Sequence, residues 1–179
     1  MEKGNPIYVF TGGPGFGKSA LIDYLKNLGY KTGNEVAREI ICEQRSIGGT
    51  ILPEKDIRSF QKEVLKRRLA FYESVGSGEI AFSDRAIPDQ IAFARFNGFG
   101  TPDVLVRYAE EYRYNEKVFV TPPWKEIYRN DAERTETFEK ACELHRIIVG
   151  VYEEFNYTLI ELPCIDIKQR AEFVLNLIY

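Results

Sequence analysis

The chain has 179 residues, 44% of them hydrophobic, a net charge of −3 and a pI near 5.4. That length fits one domain with one core, covering residues 1–179. The acidic balance argues against wholesale nucleic-acid binding, which shows as a basic domain. No apolar run approaches the roughly 20 residues of a membrane helix. Nothing at the polar start, Met1 to Pro6, reads as a signal peptide, so the expected localisation is cytoplasmic. Cys42, Cys142 and Cys164 are far apart and without CxxC spacing, so reduced, buried thiols are expected.

Along the chain, short apolar runs alternate with helical patterns. Ile7–Thr11 (IYVFT) reads as a buried parallel strand. A glycine-rich loop follows, then a helix over Lys18–Leu28 with Leu21, Ile22, Leu25 and Leu28 on one face. Tyr30–Asn34 reads as a second strand and Glu35–Arg45 as a helix. Pro53 suits the first turn of a long helix to about Val75, with Ile57, Phe60, Val64 and Leu65 as its stripe. A third strand, Ile80–Ser83, ends on Asp84, and Pro88–Phe96 is helical. Thr101-Pro102 can cap a helix running to about Glu111. Val118–Thr121 is the fourth strand, stopped by Pro122-Pro123. Thr137–Phe155 is a long helix and Tyr157–Leu162 the fifth strand. Asp166, with Gln169 three residues on, can cap the last helix. Five strands separated by helices call for an α/β fold, a parallel sheet with helices on both faces.

The most specific motif is Gly12-Gly13-Pro14-Gly15-Phe16-Gly17-Lys18-Ser19, which fits the GxxxxGK[ST] phosphate-binding pattern. Glycines let the backbone curl so that N–H groups converge on phosphate oxygens, and the next helix adds its free N-terminal N–H groups. Lys18 would reach the β- and γ-phosphates, Ser19 would meet Mg²⁺, and Ala20 continues the contact surface. The implied ligand is a nucleoside triphosphate with magnesium, ATP in the first place. Asp84, at the end of an apolar strand, is placed to hold the metal or its waters, or to take a proton from an attacking hydroxyl. Arg85 could clamp an anionic substrate or the transferring phosphoryl group; its alternative is a structural ion pair with Glu39 or Asp89. The charged segment Trp124–Arg134, with Arg129 and Arg134 around Asn130-Asp131, reads as a lid over 124–136 or as a solvated turn.

The loop Gly12–Ser19, the run Glu35-Val36-Ala37-Arg38-Glu39-Ile40-Ile41, Phe82-Ser83-Asp84-Arg85 with Asp89, and Trp124 to Arg134 occur in this order. Together they resemble the AAA_28 group of P-loop proteins, itself similar to the ribosylnicotinamide kinase domain of bifunctional NAD-biosynthesis regulators. The resemblance runs from Ile7 to about Phe173. It implies a three-layer, nucleotide-kinase-like P-loop fold with strand order 2-3-1-4-5, and ATP with Mg²⁺ as ligands. It also implies substrate groups at Glu35, for sugar hydroxyls, and at Arg38, for an anionic group. Arg85 and Asp89 belong to the same expected acceptor side. By the same resemblance the loop from Pro163 to Asp166 lies against the adenine, with Arg170 in support. No helical lid domain or sensor segment suggests a large oligomeric motor, and no Asn-Lys-x-Asp motif reads guanine. A monomer or dimer is expected.

Other features invite plainer readings. His145 is expected on a helix surface or packed, and Tyr108, Tyr112 and Tyr114 are expected to pack. Lys62, Lys66, Arg67 and Arg68 form a basic run that reads as a solvated face. Three functions fit these residues. The first is a small-molecule kinase using Lys18, Asp84, Arg85, Arg129 and Arg134 on a nucleoside-like or phosphorylated acceptor. The others are an ATPase that works as a conformational switch and a nucleotide-binding module without turnover.

Overall fold

The computed structural model describes residues 5–129 and 137–179. Five parallel strands, β1 (Ile7–Thr11), β2 (Lys31–Gly33), β3 (Ala81–Asp84), β4 (Lys117–Val120) and β5 (Thr158–Glu161), form one sheet in the order β2-β3-β1-β4-β5. The helices are α1 (Lys18–Asn27), α2 (Val36–Ser46), α3 (Ile57–Ser74), α4 (Ile87–Phe96), α5 (Asp103–Glu111), α6 (Phe138–Glu154) and α7 (Ile167–Ile178). The α/β class and the 2-3-1-4-5 order expected above are the ones observed.

Alternation along β1 builds two cores. Phe10 points to one face, between Phe82 and Phe119 at ring-centroid distances of 5.6 and 5.5 Å, under α1 and α7. Ile7 and Val9 point to the other face and join Ile87, Ile91, Leu144, Ile148 and Tyr152 of α4 and α6. A strand buried on both faces has no polar side to show, which is why IYVFT reads as a continuous apolar run. A third, smaller cluster of Val36, Ile40, Phe60 and Val64 ties α2 to α3.

Register places the chemistry. Phe10 pairs with Asp84 and Thr11 with Val120, so the ends of β1, β3 and β4 are level and their loops meet at one edge. That edge is where parallel sheets gather ligands.

Several expectations need correction. The long helix does not start at Pro53; residues 52–55 form turns, and Asp56 caps α3 by accepting a hydrogen bond from the Ser59 N–H at 3.0 Å. A carboxylate cap three residues before its donor outcompeted the proline signal. Thr101 does not cap α5; its hydroxyl accepts from Arg95 Nε at 2.8 Å, and Pro102 holds the cap position. Cys42 and Cys164 are exposed and Cys142 is half-buried, all as free thiols, so the expectation of buried cysteines does not hold. Arg68 is not on a solvated face. It is buried, with Nη1 donating to the Ala86 carbonyl at 2.7 Å, while Arg67 pairs with Glu43 and Glu63 outside. Tyr112 and Tyr114 do pack, both edge-on against Tyr72. Asp166 caps α7 through the Gln169 N–H at 3.0 Å, as the spacing predicts. Among the described residues no helix is long and apolar enough to cross a membrane.

Candidate active site at the phosphate loop

The loop between β1 and α1 turns on Gly12, Gly15 and Gly17, all at positive φ. Gly17, at φ 81°, is the N-cap of α1 and offers no side chain to cap it, so the first N–H groups of the helix are left for a ligand. The positive φ of Gly17 strains any residue with a side chain, and a side chain there would also press on two neighbours. A Cβ on Gly17 would lie 2.9 Å from Arg170 Nη1 and 3.0 Å from Ile127 Cδ1. Phe16 contributes a backbone position to the loop and an anchor beneath it. Its ring is fully buried against Tyr128, Phe138 and His145, with centroids 5.8–6.2 Å away.

Lys18 is buried and folds back over the loop, donating to the carbonyls of Gly12 at 3.1 Å and Gly13 at 2.7 Å. Burial first, then the Arg85 charge, pulls its pKa below the ordinary lysine value. Ser19 donates its hydroxyl to Asp84 Oδ2 at 3.0 Å. The other oxygen, Asp84 Oδ1, is buried with no hydrogen-bond partner. Burial, and next the Glu35 carboxylate, raise the Asp84 pKa above the usual carboxylate range.

Arg85 has a left-handed backbone, φ 69°, which costs a non-glycine residue on the order of 1 kcal/mol or more. Its N–H to the Phe10 carbonyl and the Ser83 hydroxyl on its own carbonyl hold it so. The guanidinium is buried, donating to Gly12 O at 3.0 Å and Asp89 Oδ1 at 2.9 Å, with Nε 3.7 Å from Glu35. Burial opposes the charge, but Asp89, Glu35 and Asp84 together outweigh it and raise the Arg85 pKa. Of the two readings of Arg85, both have a structural counterpart. It is ion-paired to Asp89, not to Glu39, which instead accepts from Asn34, and it also lines the cavity described next.

One cavity of about 740 Å³ runs along the sheet edge. It is lined by Pro14, Gly15, Gly17, Lys18, Ser19 and Ala20 of the loop and α1, by Glu35, Arg38 and Arg85, and by Trp124, Ile127, Ile165, Ile167, Lys168 and Arg170. This volume lies within the usual small-molecule range of about 300–1,000 Å³. Arg170 is buried over the Trp124 ring at 5.7 Å, and burial lowers its pKa. Glu35 stands at the N-cap position of α2 but caps nothing, its carboxylate turned towards Arg85.

Not every expected residue reaches the cavity. Asp89 is fully buried, and its two oxygens take four hydrogen bonds, from Thr11 and Arg85 on one and from the Ala86 N–H and Tyr152 on the other. It sits behind Arg85 and holds it. Gly12 and Gly13 also lie behind the lining, as acceptors for Lys18. Pro163 is outside the lining, and the neighbouring Ile165–Lys168 take that place. Arg129 is exposed, with Nη1 donating to the Tyr128 carbonyl, and is not in the lining. Arg134 lies outside the described residues. Ile165, Asp166 and Arg170 come from the loop and support expected at the adenine, whereas Ile167 and Lys168, just beyond that loop, were not foreseen. Ile165 and Ile167 flank the Asp166 cap as isolated apolar residues, a weak signal that only their exposure makes visible.

The sequence model of the AAA_28 family, described as an AAA domain, matches residues 7–170. The chain belongs to the AAA_28 family. No curated protein sequence matches it. Among solved structures this AAA_28 chain resembles deoxyadenosine kinase from M. mycoides with the products dCMP and a flexible dCDP bound. The TM-score is 0.68 and the identity 17%, over 96% of this chain and 98% of that one. The same enzyme with bound dATP gives 0.68 at 15% identity, again over 96% and 98%. Thymidylate kinase from Ehrlichia chaffeensis gives 0.64 at 13% identity, over 99% of this chain and 100% of that one. At these identities the likeness is one of fold, and the fold is that of the P-loop nucleoside and nucleotide kinases.

Proposed function

We propose that the chain is an ATP-dependent small-molecule kinase that moves the γ-phosphoryl group to a hydroxyl of a nucleoside-like or phosphorylated metabolite. The observation that carries this reading is the continuity of the cavity. The cavity of about 740 Å³ that Lys18 and Ser19 line is lined also by Glu35, Arg38 and Arg85, so an acceptor can share it with the triphosphate. Pure hydrolysis would need space for one water there. The kinases that share the fold support the reading at the level of architecture.

In this reading the adenine lies against the apolar lining residues Trp124, Ile165 and Ile167. The loop N–H groups and the start of α1 cradle the phosphates. Lys18 leaves the Gly12 and Gly13 carbonyls for the β- and γ-oxygens. Glu35 accepts a hydrogen bond from an acceptor hydroxyl, and Arg38 meets an anionic group if the acceptor carries one. The acceptor oxygen forms its bond to the γ-phosphorus as the bond to the β,γ-bridging oxygen breaks. The hydroxyl proton goes to a carboxylate, Glu35 in the lining or Asp84 buried beside Ser19, and ADP leaves. Arg85, and Arg129 and Arg134 from the charged segment, neutralise the charge on the transferring group.

Magnesium fits the residues present. The buried Asp84 Oδ1 has no partner, and Ser19 Oγ stands 3.0 Å from Oδ2 of the same carboxylate. Mg²⁺ asks for one or two such oxygens and otherwise keeps waters and substrate phosphates. Ser19 and Asp84 would hold it, and when bound it supplies charge neutralisation at the β- and γ-oxygens.

The test is ADP release by the purified protein with MgATP, alone and against a panel of nucleosides, nucleotides and phosphorylated metabolites. Stimulation by one compound, absent in Lys18→Ala, is the expected result. Slow release that no compound stimulates would contradict the kinase reading and favour the switch ATPase.

A further inference from the structure

We propose that His145 is a positioning residue of the phosphate loop, an acceptor on α6 that fixes the Gly13 peptide so that the loop is preset for a triphosphate. The inference rests on the nucleotide-binding reading above and adds to it a side chain from a helix far along the chain.

Three contacts meet at Gly13. Its N–H donates to His145 Nδ1 at 3.3 Å, its carbonyl accepts from Lys18 Nζ at 2.7 Å, and its Cα faces α6. A Cβ there would lie 2.6 Å from the Ala141 carbonyl and 2.4 Å from Phe16 Cε2, so the loop and the helix are in direct contact. Ala141 and His145 are four residues apart, hence on one face of α6, and that face is the wall against which the loop is built. Phe16, the next anchor in the loop, stands edge-on to the His145 ring at 5.8 Å.

Glycine is the residue with most backbone freedom to lose, and a cradle of N–H groups binds phosphate well only if it is already shaped. With the N–H held by His145 and the carbonyl by Lys18, Gly13 is fixed on both sides. When Lys18 turns to phosphate oxygens, the His145 bond is the one that stays. The imidazole must be neutral to accept at Nδ1, which puts its proton on Nε2. Burial, with Lys18 and Arg146 as the nearby cations, keeps it neutral by lowering its pKa to about 4.

The test compares the wild type, His145→Leu and His145→Asn. Leucine keeps bulk and loses the acceptor, whereas asparagine carries Oδ1 at the same remove from Cβ as Nδ1. The affinity for MgATP by calorimetry should fall about three- to tenfold in His145→Leu and recover most of that in His145→Asn. Adenosine binding, which does not use the loop, should change in neither. A general packing defect would weaken both ligands and would not be rescued by asparagine, and that result would overturn the proposal. In the wild type, a scalar coupling across the hydrogen bond between the Gly13 amide nitrogen and His145 Nδ1 is expected by NMR without any nucleotide. Its absence would overturn the proposal even if His145→Leu failed to fold. A wild type that binds no MgATP would overturn the nucleotide reading and this inference with it. A wild type that binds and a leucine variant that binds equally would overturn this inference alone.

Discussion

Replacing Asp89 by leucine should destabilise the protein more than almost any other single change at the site. The side chain is fully buried and takes Thr11 Oγ1 at 2.7 Å, Arg85 Nη1 at 2.9 Å, the Ala86 N–H at 2.9 Å and the Tyr152 hydroxyl at 2.6 Å. Its pKa is lowered, because Arg85 and Arg68 outweigh the cost of burial. Leucine would leave Arg85 buried with Glu35, at 3.7 Å, and the Asp84 charge as its remaining carboxylates, and three other donors without that acceptor. Removing one partner of a buried pair costs about 3–5 kcal/mol. For a domain of this size each kcal/mol moves Tm by about 2–4 °C, so a drop of about 6–20 °C is expected by calorimetry at neutral pH. Asp89→Asn should cost less, about 1.5–3 kcal/mol, because it keeps the shape and one acceptor oxygen. The Asp89→Leu/Arg85→Met double variant should lose less than the sum of the singles. A Tm within about 2 °C of wild type for Asp89→Leu would refute the view that this carboxylate holds the acceptor-side arginine.

Three further outcomes are expected. Ser19→Ala removes the hydroxyl beside Asp84, so the Mg²⁺ concentration for half-maximal turnover should rise; an unchanged magnesium titration would take Ser19 out of the metal site. Phe16→Ala empties a fully buried ring position and should cost about 3–5 kcal/mol in a denaturant titration. It should also weaken MgATP binding, and a stability loss with normal affinity would mean that the ring does not shape the loop. His145 is held neutral at a pKa of about 4, whereas an unfolded histidine titrates near about 6.5. The unfolded state therefore binds a proton that the folded state refuses, and the His145 contribution to stability falls as pH drops from about 6.5 towards 4. The Tm difference between wild type and His145→Asn should shift in favour of the variant across that window; a constant difference would contradict a buried neutral imidazole.

Much of the fold was legible because its strands are buried on both faces and its helices carry regular apolar stripes. IYVFT could be little else than an inner strand, and the cap at Asp166 fell where the spacing put it. The start of α3 was missed because a proline and a carboxylate cap three residues apart compete, and the cap won. The phosphate loop, Asp84, Glu35, Arg38 and Arg85 were legible as local motifs or through the family resemblance, and the fold brings them to one cavity or its wall. What the sequence hid are the contacts between distant segments. Arg68 looks like one more cation in KRR until α4 is laid over it. Asp89 reads as a site residue until four donors are seen to use it up, and the role of His145 depends on a loop 132 residues away. Local pattern says which face is buried; it does not say which side chain waits there.

The central claim is phosphoryl transfer to an acceptor. Its most direct test is mass spectrometry of the acceptor panel after incubation with ATP isotope-labelled in the γ-phosphoryl group, using wild type and Lys18→Ala side by side. The account predicts one compound that gains the labelled phosphoryl group with the wild type and not with the variant. Label found only in inorganic phosphate, for every compound tested, would contradict it.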